Sequence, residues 1–489
     1  MHPQVAENIS QNFPRKDVND GRWRWGAGYV IGGLAPHLVM ALNNRTFATR
    51  LMIEIRGQHA TQGDFPQGWF PMNSFSSRVA AAAAAIRQIF PETPLQENDY
   101  LSKKTGARVL LKREDLSPVR SYKIRGAFNF FRKTLAAGNE AELFVCASAG
   151  NHAQGFAFVC RHFGRRGVVF MPVTTPQQKI DKTRLFGGDF IEIRLVGDFF
   201  DDCYRAALEF TDSSGAHMVP PFDHKDIIEG QATVAYEIAD QMPGARMPDI
   251  VMLPVGGGGL AAGVTHYFAD QGREARFVFC EPAGAPSLRE SLAAGKRLKL
   301  AKVDNFVDGA AVAEIGREPL RHLKDFPADT VRLIPENRLC ATMIEMLNVE
   351  GVVLEPAGAL AIDALKDFSK KEIRGKTIVA VVSGGNFDFE RLPDVKERAL
   401  RFEGLKKYFI IRFPQRPGAL RDFLELLGPD DDIARFEYLK KSARNFGSVL
   451  IGIETRDRRN FDRLKAKFEA EGVQYQDITD NETLAGFII

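Results

Sequence analysis

The sequence predicts an α/β protein built on a mainly parallel sheet covered on both faces, followed by a small ferredoxin-like α+β unit. Three observations carry this expectation. Between residues 72 and 400, short apolar runs alternate with amphipathic helical stretches, the order of strands joined by crossover helices. The runs are apolar at nearly every position, as in strands buried on both faces. Beyond residue 405 the pattern changes to βαββαβ.

Taken in order, residues 1–71 show mixed polar runs and no sustained helical or strand period. They read as a leader, either disordered or translated from upstream of a misplaced start codon, with a targeting role as the third reading. Met72 opens ordinary globular patterning. Strands are expected at Arg108–Leu111, Leu143–Ala147, Gly167–Phe170, Ile250–Pro254, Phe277–Cys280 and Thr377–Val382. The charged run Lys396–Lys407 reads as a helix leading into a linker. After it come a strand at Tyr408–Phe413, a helix at Pro417–Leu427 and strands at Ala434–Leu439 and Ser448–Glu454. A helix at Asn460–Glu471 and a last strand at Val473–Ile478 complete the unit. The expected domains are therefore 72–400 and 405–489.

Composition excludes several classes of function. A formal net charge of +3 gives no global electrostatic reason for a nucleic-acid or membrane partner. No apolar run approaches the roughly 20 residues needed to span a bilayer; Ala27–Val39 is broken by three glycines, a proline and a histidine. The five cysteines, Cys146, Cys160, Cys203, Cys280 and Cys340, are odd in number and form no CxxC pair. Neither a disulfide framework nor a metal site is expected, and a reducing, cytoplasmic location fits.

Five motifs sit at strand ends or helix starts. In Ser121-Tyr122-Lys123-Ile124-Arg125-Gly126-Ala127, a lysine held off water can lose its proton and attack an aldehyde. Most lysines are solvated charges, so this motif alone does not decide. Ser148-Ala149-Gly150-Asn151-His152 places small residues at a helix N-terminus, which suits a carboxylate or phosphate; an ordinary Asn cap is the plainer reading. Gly256-Gly257-Gly258-Gly259-Leu260 can turn several N–H groups onto one anion, and a flexible linker would not sit between a buried strand and a helix. Ser383-Gly384-Gly385-Asn386 and Glu355-Pro356-Ala357-Gly358-Ala359 could each be simple turns. Together they lie at C-terminal strand ends, where open α/β sheets place ligands. An aldehyde and a phosphate on one ligand point to pyridoxal phosphate, whose usual substrates carry an amine and a carboxylate.

In that order, these motifs resemble the threonine/serine dehydratase branch of the pyridoxal-phosphate enzymes with the tryptophan-synthase β fold (fold type II), over roughly residues 75–400. Residues 407–421 resemble the single ACT-like domain of biosynthetic threonine deaminases. The resemblance implies a two-lobed catalytic domain that converts L-threonine, and L-serine, to an oxo acid and ammonia. For threonine this is the first step of isoleucine biosynthesis. It implies that Lys123 links to the cofactor aldehyde and later moves the α-proton, and that Asn151 bonds the ring hydroxyl. Gly256, Gly257, Gly258, Gly259 and Leu260 would cradle the phosphate, and Ser383 would meet the pyridine nitrogen. Ser148, Ala149, Gly150, Asn151 and His152 would hold the substrate carboxylate. It further implies isoleucine or valine as effector and a homotetramer or homodimer.

Two departures bear on specificity. Ala149 stands where serine racemases of this fold carry a second acid/base serine, which argues against racemisation. Ser287 stands six positions after Glu281, where some relatives have a cation-binding Asp, which argues against that metal site. Serine at the pyridine nitrogen, where an Asp would keep the ring protonated, suits loss of a β-hydroxyl over transamination. The alternatives are a catabolic serine/threonine dehydratase, a β-replacing synthase of the same fold, and an inactive amino-acid sensor.

Overall fold

The computed structural model describes residues 74–138, 142–242, 247–439 and 445–481, with the backbone of 15–16 and 23–24. Met1–Phe70 and Pro71–Ile489 are separate units. In the first, Arg15–Lys16 pairs antiparallel with Trp23–Arg24; the expectation of a disordered or mis-started leader otherwise lies outside the described residues.

The strands of the second unit are β1 (Leu95–Glu97), β2 (Arg108–Arg113), β3 (Leu143–Ala147), β4 (Arg166–Met171), β5 (Ile191–Leu195) and β6 (His217–Met218). They continue with β7 (Ile250–Pro254), β8 (Arg276–Pro282), β9 (Val331–Ile334) and β10 (Thr377–Val382). They form two sheets. The larger runs β9-β8-β7-β10-β2-β1, parallel except for the edge strand β1, and the smaller runs β5-β4-β3-β6, all parallel. The chain leaves the large sheet after β2, builds the small one, and returns at β7.

Both sheets are covered on both faces. Val109, Leu111, Ile250, Met252, Ile378 and Ala380 feed one core of the large sheet, while Leu110, Val251, Leu253, Val379 and Val381 feed the opposite one. This is the period of two expected of a pleated strand, with both sets buried. The small sheet likewise sends Phe144 and Cys146 one way and Val145 and Ala147 the other. All five cysteines are buried and unbonded. The two-lobed α/β expectation holds.

The helices that frame the cleft are α1 (Lys123–Ala136), α2 (Asn151–Phe163), α3 (Thr233–Gln241), α4 (Gly259–Asp270), α5 (Glu336–Glu350), α6 (Pro356–Asp363) and α7 (Leu392–Glu403). A buried charge network anchors α1. The Arg125 guanidinium bonds Glu114 at 2.7 and 2.9 Å and Glu237, on α3, at 2.7 and 2.8 Å. Lys112 Nζ pairs with the same Glu237. Arg125 lies two residues after Lys123, so the network fixes where α1 begins.

The chain passes from α7 into the last unit through Gly404 and Leu405. Gly404, at φ 71°, ends the helix, and a strand starts at Lys406. The expected helix over Lys396–Lys407 is thus shifted: it starts at Leu392 and ends at Glu403, and no linker follows. Lys406 and Lys407 close the charged run read from the sequence as a helix leading into a linker. In the fold Lys406 is buried between Glu397 of α7 and Glu454, the latter at 2.9 Å. The unit contains β11 (Lys406–Pro414), α8 (Ala419–Leu424), β12 (Asp431–Leu439), β13 (Phe446–Thr455), α9 (Arg459–Ala470) and β14 (Tyr475–Asp477). Its sheet is antiparallel in the order β12-β13-β11-β14. That is the ferredoxin-like arrangement the βαββαβ order predicts. One face packs Phe409, Ile411, Val449 and Ile451 on Phe461, Leu464 and Phe468 of α9.

Candidate active site

Four loops at C-terminal strand ends meet in one cleft between the two sheets. The loop after β2 ends at Lys123, the first residue of α1. It is tied to the loop after β10, because the Tyr122 N–H donates to Ser383 O at 3.1 Å and Ser121 bridges Gly384. Lys123 Nζ donates to the Pro221 carbonyl at 3.1 Å and lies 5.4 Å from the Tyr122 ring and 5.9 Å from the Phe222 ring. Burial among these groups lowers its pKa to about 8, against the upward pull of Glu355. The amine is therefore far easier to deprotonate than a solvated lysine.

The loop after β3 carries Ser148 to His152. Gly150, the N-cap of α2, leaves space where a side chain would be, and its N–H donates to Ser148 Oγ at 3.2 Å. The N-terminus of α2 therefore opens on the cleft beside Ala149 with backbone N–H groups unspent. The His152 ring is turned away. It is buried, it meets Val219 O through Nε2 at 2.9 Å, and burial together with Lys123 lowers its pKa to about 3. It is neutral at physiological pH and brings no positive charge to an anion.

The loop after β7 is the glycine run. Gly258 has φ +86°, a left-handed turn that opens α4. A Cβ on Gly257 would fall 2.2 Å from the Phe222 ring, so the backbone lies flat against that ring. Among the described residues no protein acceptor faces the N–H groups of Gly256, Gly257, Gly258, Gly259 or Leu260. This is the free first turn of a helix with its positive dipole end, which fits a phosphate.

Ser383 is buried at the end of β10, with Oγ 3.2 Å from Ala357 O. Ser121 Oγ, nearby, is buried without a partner. Sequence reasoning missed two neighbours as site residues. Glu355 accepts from Asn151 Nδ2 at 2.6 Å, and Asn386 donates to Asn151 Oδ1 at 2.7 Å. Both lay in motifs noted above, Glu-Pro-Ala-Gly-Ala and Ser-Gly-Gly-Asn, but their shared partner is more than 200 residues away. The structure places the sequence-predicted site residues on these four loops and on the first turns of the helices that follow them.

The cleft offers an aldehyde one amine and a phosphate one glycine turn, and pyridoxal phosphate carries both groups on a single ring. Fold and site together define the pyridoxal-phosphate enzymes of this two-lobed type. The comparisons agree. A family model for pyridoxal-phosphate dependent enzymes matches residues 86–384, and one for the C-terminal regulatory domain of threonine dehydratase matches residues 397–488. The L-threonine dehydratase biosynthetic IlvA of Halalkalibacterium halodurans is 44% identical over 415 residues, covering 84% of this chain and 98% of the relative. That of Bacillus subtilis is 45% identical over 412 residues, 84% and 96%. Among solved structures, the processed form of threonine deaminase isoform 2 from Solanum lycopersicum superposes with a TM-score of 0.61 at 35% identity, covering 68% of this chain and 90% of that one. The chain belongs to the biosynthetic L-threonine dehydratases.

Proposed function

We propose that this chain is a threonine ammonia-lyase that converts L-threonine to 2-oxobutanoate and ammonia, with L-serine as a second substrate. The observation that carries the reading is Lys123: a half-buried amine with a lowered pKa, beside Phe222, against which the glycine turn lies. When bound, pyridoxal phosphate supplies an electron sink for the pair left at the α-carbon. Lys123 would hold the cofactor through its aldehyde group, and its amine, once free, would take the α-proton. Asn151 donates to the ring oxygen. The N–H groups of Gly256, Gly257, Gly258, Gly259 and Leu260 hold the phosphate. Ser383 offers the ring nitrogen a hydroxyl and not a carboxylate, which leaves that nitrogen largely neutral. Ser148, Ala149, Gly150, Asn151 and His152 hold the substrate carboxylate through main-chain N–H groups and short side chains.

The β-hydroxyl leaves as water, and hydrolysis of the resulting enamine returns that water and releases ammonia. Ala149 supplies no acid for the opposite face of the α-carbon, so elimination is favoured over racemisation. The C-terminal unit, whose described residues carry no lysine and glycine turn of that kind, binds a branched-chain amino acid, with isoleucine as inhibitor and valine as the second candidate effector. The assembly is a homotetramer or homodimer and the location cytoplasmic. One assay tests the set: oxo-acid release from threonine and from serine, each with and without isoleucine and valine. Release from neither substrate would refute the reaction. Release that ignores both effectors at millimolar levels would refute the feedback and favour a catabolic dehydratase.

A further inference from the structure

Side chains from three separate loops form one hydrogen-bonded row beside Lys123. Asn386 Nδ2 donates to the Val119 carbonyl at 2.8 Å and to Asn151 Oδ1 at 2.7 Å, and Asn151 Nδ2 donates to Glu355 Oε1 at 2.6 Å. Amide oxygen and nitrogen look alike in shape, so their assignment has to come from the network. Here both ends settle it. A backbone carbonyl only accepts, so Asn386 must turn its NH2 to Val119. That NH2 only donates, so Asn151 must meet it with its carbonyl. The Asn151 NH2 is thereby forced to the other side, where the Glu355 carboxylate accepts one hydrogen. The second hydrogen has no acceptor among the described residues.

Glu355 also accepts from the Asn386 backbone N–H. It precedes α6 in an extended conformation, with φ −73° and ψ 159°, and its side chain caps no helical N–H. Pro356 at the first helical position needs no such cap. The carboxyl is buried. The groups around it are Lys123 on α1 and Tyr122 just ahead of it, Lys179 and Lys182 on the helix Gln177–Gly187, Asp308, and the Asn386 N–H. Burial and Asp308 raise its pKa to about 7, while Asn151, Lys179 and the Asn386 N–H oppose the rise. A carboxylate carried into the interior is costly unless it is hydrogen-bonded, and the bonds of this one go to Asn151 Nδ2 and the Asn386 N–H.

We propose that Glu355 and Asn386 are positioning residues: they lock the Asn151 amide from both sides so that an N–H, never the carbonyl, faces the cofactor's ring oxygen. This rests on the reading that Asn151 addresses that oxygen. A fixed donor stabilises the oxygen in its ionised, accepting form, and the two hydrogens of Asn151 then bridge two oxygen acceptors, one on the protein and one on the ligand.

Asn386→Asp tests it, because a carboxylate can donate neither to Val119 nor to Asn151. The Asn151 amide must then swing its NH2 to the new carboxylate and show its carbonyl to the ring oxygen. Apoenzyme is titrated with pyridoxal phosphate while the visible spectrum is recorded. Cofactor affinity should fall about ten- to a hundredfold, the worth of a charge-assisted hydrogen bond turned repulsive. The visible band should lose intensity to a band at shorter wavelength. Glu355→Gln keeps an oxygen for Asn151, so affinity should stay within about threefold of wild type. The pH midpoint for Lys123 deprotonation, read from the rate of cofactor capture, should drop because a neighbouring negative charge is gone. If Asn386→Asp does not fold, judged by melting of the apoenzyme, Asn386→Ala replaces it and should show the same losses more weakly. Wild-type affinity and an unchanged spectrum in the folded Asn386 variant overturn the proposal. A wild-type protein that develops no visible band with the cofactor overturns instead the assignment of Lys123 beneath it.

Discussion

Gly257→Ala makes the demand of the phosphate turn measurable. The added Cβ would stand 2.2 Å from Phe222 Cδ1 and Cγ and 2.4 Å from Cδ2. Ordinary carbon contacts begin near about 3.5 Å, so ring or loop must yield by more than an ångström. Phe222 has little freedom to do so. Its Cβ and backbone lie within 3.3 Å of where a Cβ on Gly259 would be, and its ring is 5.9 Å from Lys123 Nζ. Its neighbour Pro221 holds the Lys123 amine. Overpacking of this kind costs ~1–3 kcal/mol, which shared between fold and site lowers cofactor affinity about tenfold or more. The assay is titration of apoenzyme with pyridoxal phosphate, followed by visible absorbance and by the melting temperature of the apoenzyme. Phe222→Ala removes the obstructing ring, so the double variant should recover part of the loss, with a coupling of ~0.5–3 kcal/mol. Wild-type affinity in the single variant, or strict additivity in the double, would refute the reasoning that the turn is shaped by this contact.

Other outcomes follow from the same geometry. Lys123→Ala should leave a folded protein with no turnover and no visible band; retained oxo-acid release would remove Lys123 from its role. The rate at which apoenzyme captures the cofactor should rise with pH through about 8, because only the neutral amine reacts and burial sets its lowered pKa there; a flat profile across that window would contradict it. Ser383→Asp should slow elimination by favouring a protonated ring nitrogen, and unchanged turnover would show that this serine does not meet that nitrogen. Arg125→Ala leaves Glu114 and Glu237 buried without their guanidinium, and should destabilise the apoenzyme by ~3–5 kcal/mol in denaturant unfolding.

The six strands expected from apolar runs all lie in the two sheets, because a strand buried on both faces leaves an unbroken hydrophobic signature. Strands β1, β5, β6 and β9 escaped that reading. β1 and β6 are two or three residues long, and β5 is Ile-Glu-Ile-Arg-Leu with no residue fully buried. In the C-terminal unit the alternation was clear enough to order every element, but not to place its start. Lys406 looks like linker charge until Glu397 and Glu454 surround it, and those partners are invisible in a local window. The site was legible for a related reason. Lysine, glycine run and strand-end serine announce themselves locally. Glu355 is defined only by what it touches, and its partner Asn151 is distant in sequence.

The two-residue passage from α7 to β11 has a mechanical meaning. A domain hung on a long tether can take up a ligand and leave the rest of the chain undisturbed. This one has two residues, Gly404 and Leu405, between helix and strand, and Lys406 is paired back to Glu397 of α7. Helix α7 packs along α5, α5 packs on α6, and the residue just ahead of α6 is Glu355. The C-terminal unit is thus seated at one end of a stiff train of helices whose other end touches the Asn151 amide. Lengthening the passage with a few glycines would leave both ends intact and give the unit the slack that Gly404 and Leu405 withhold.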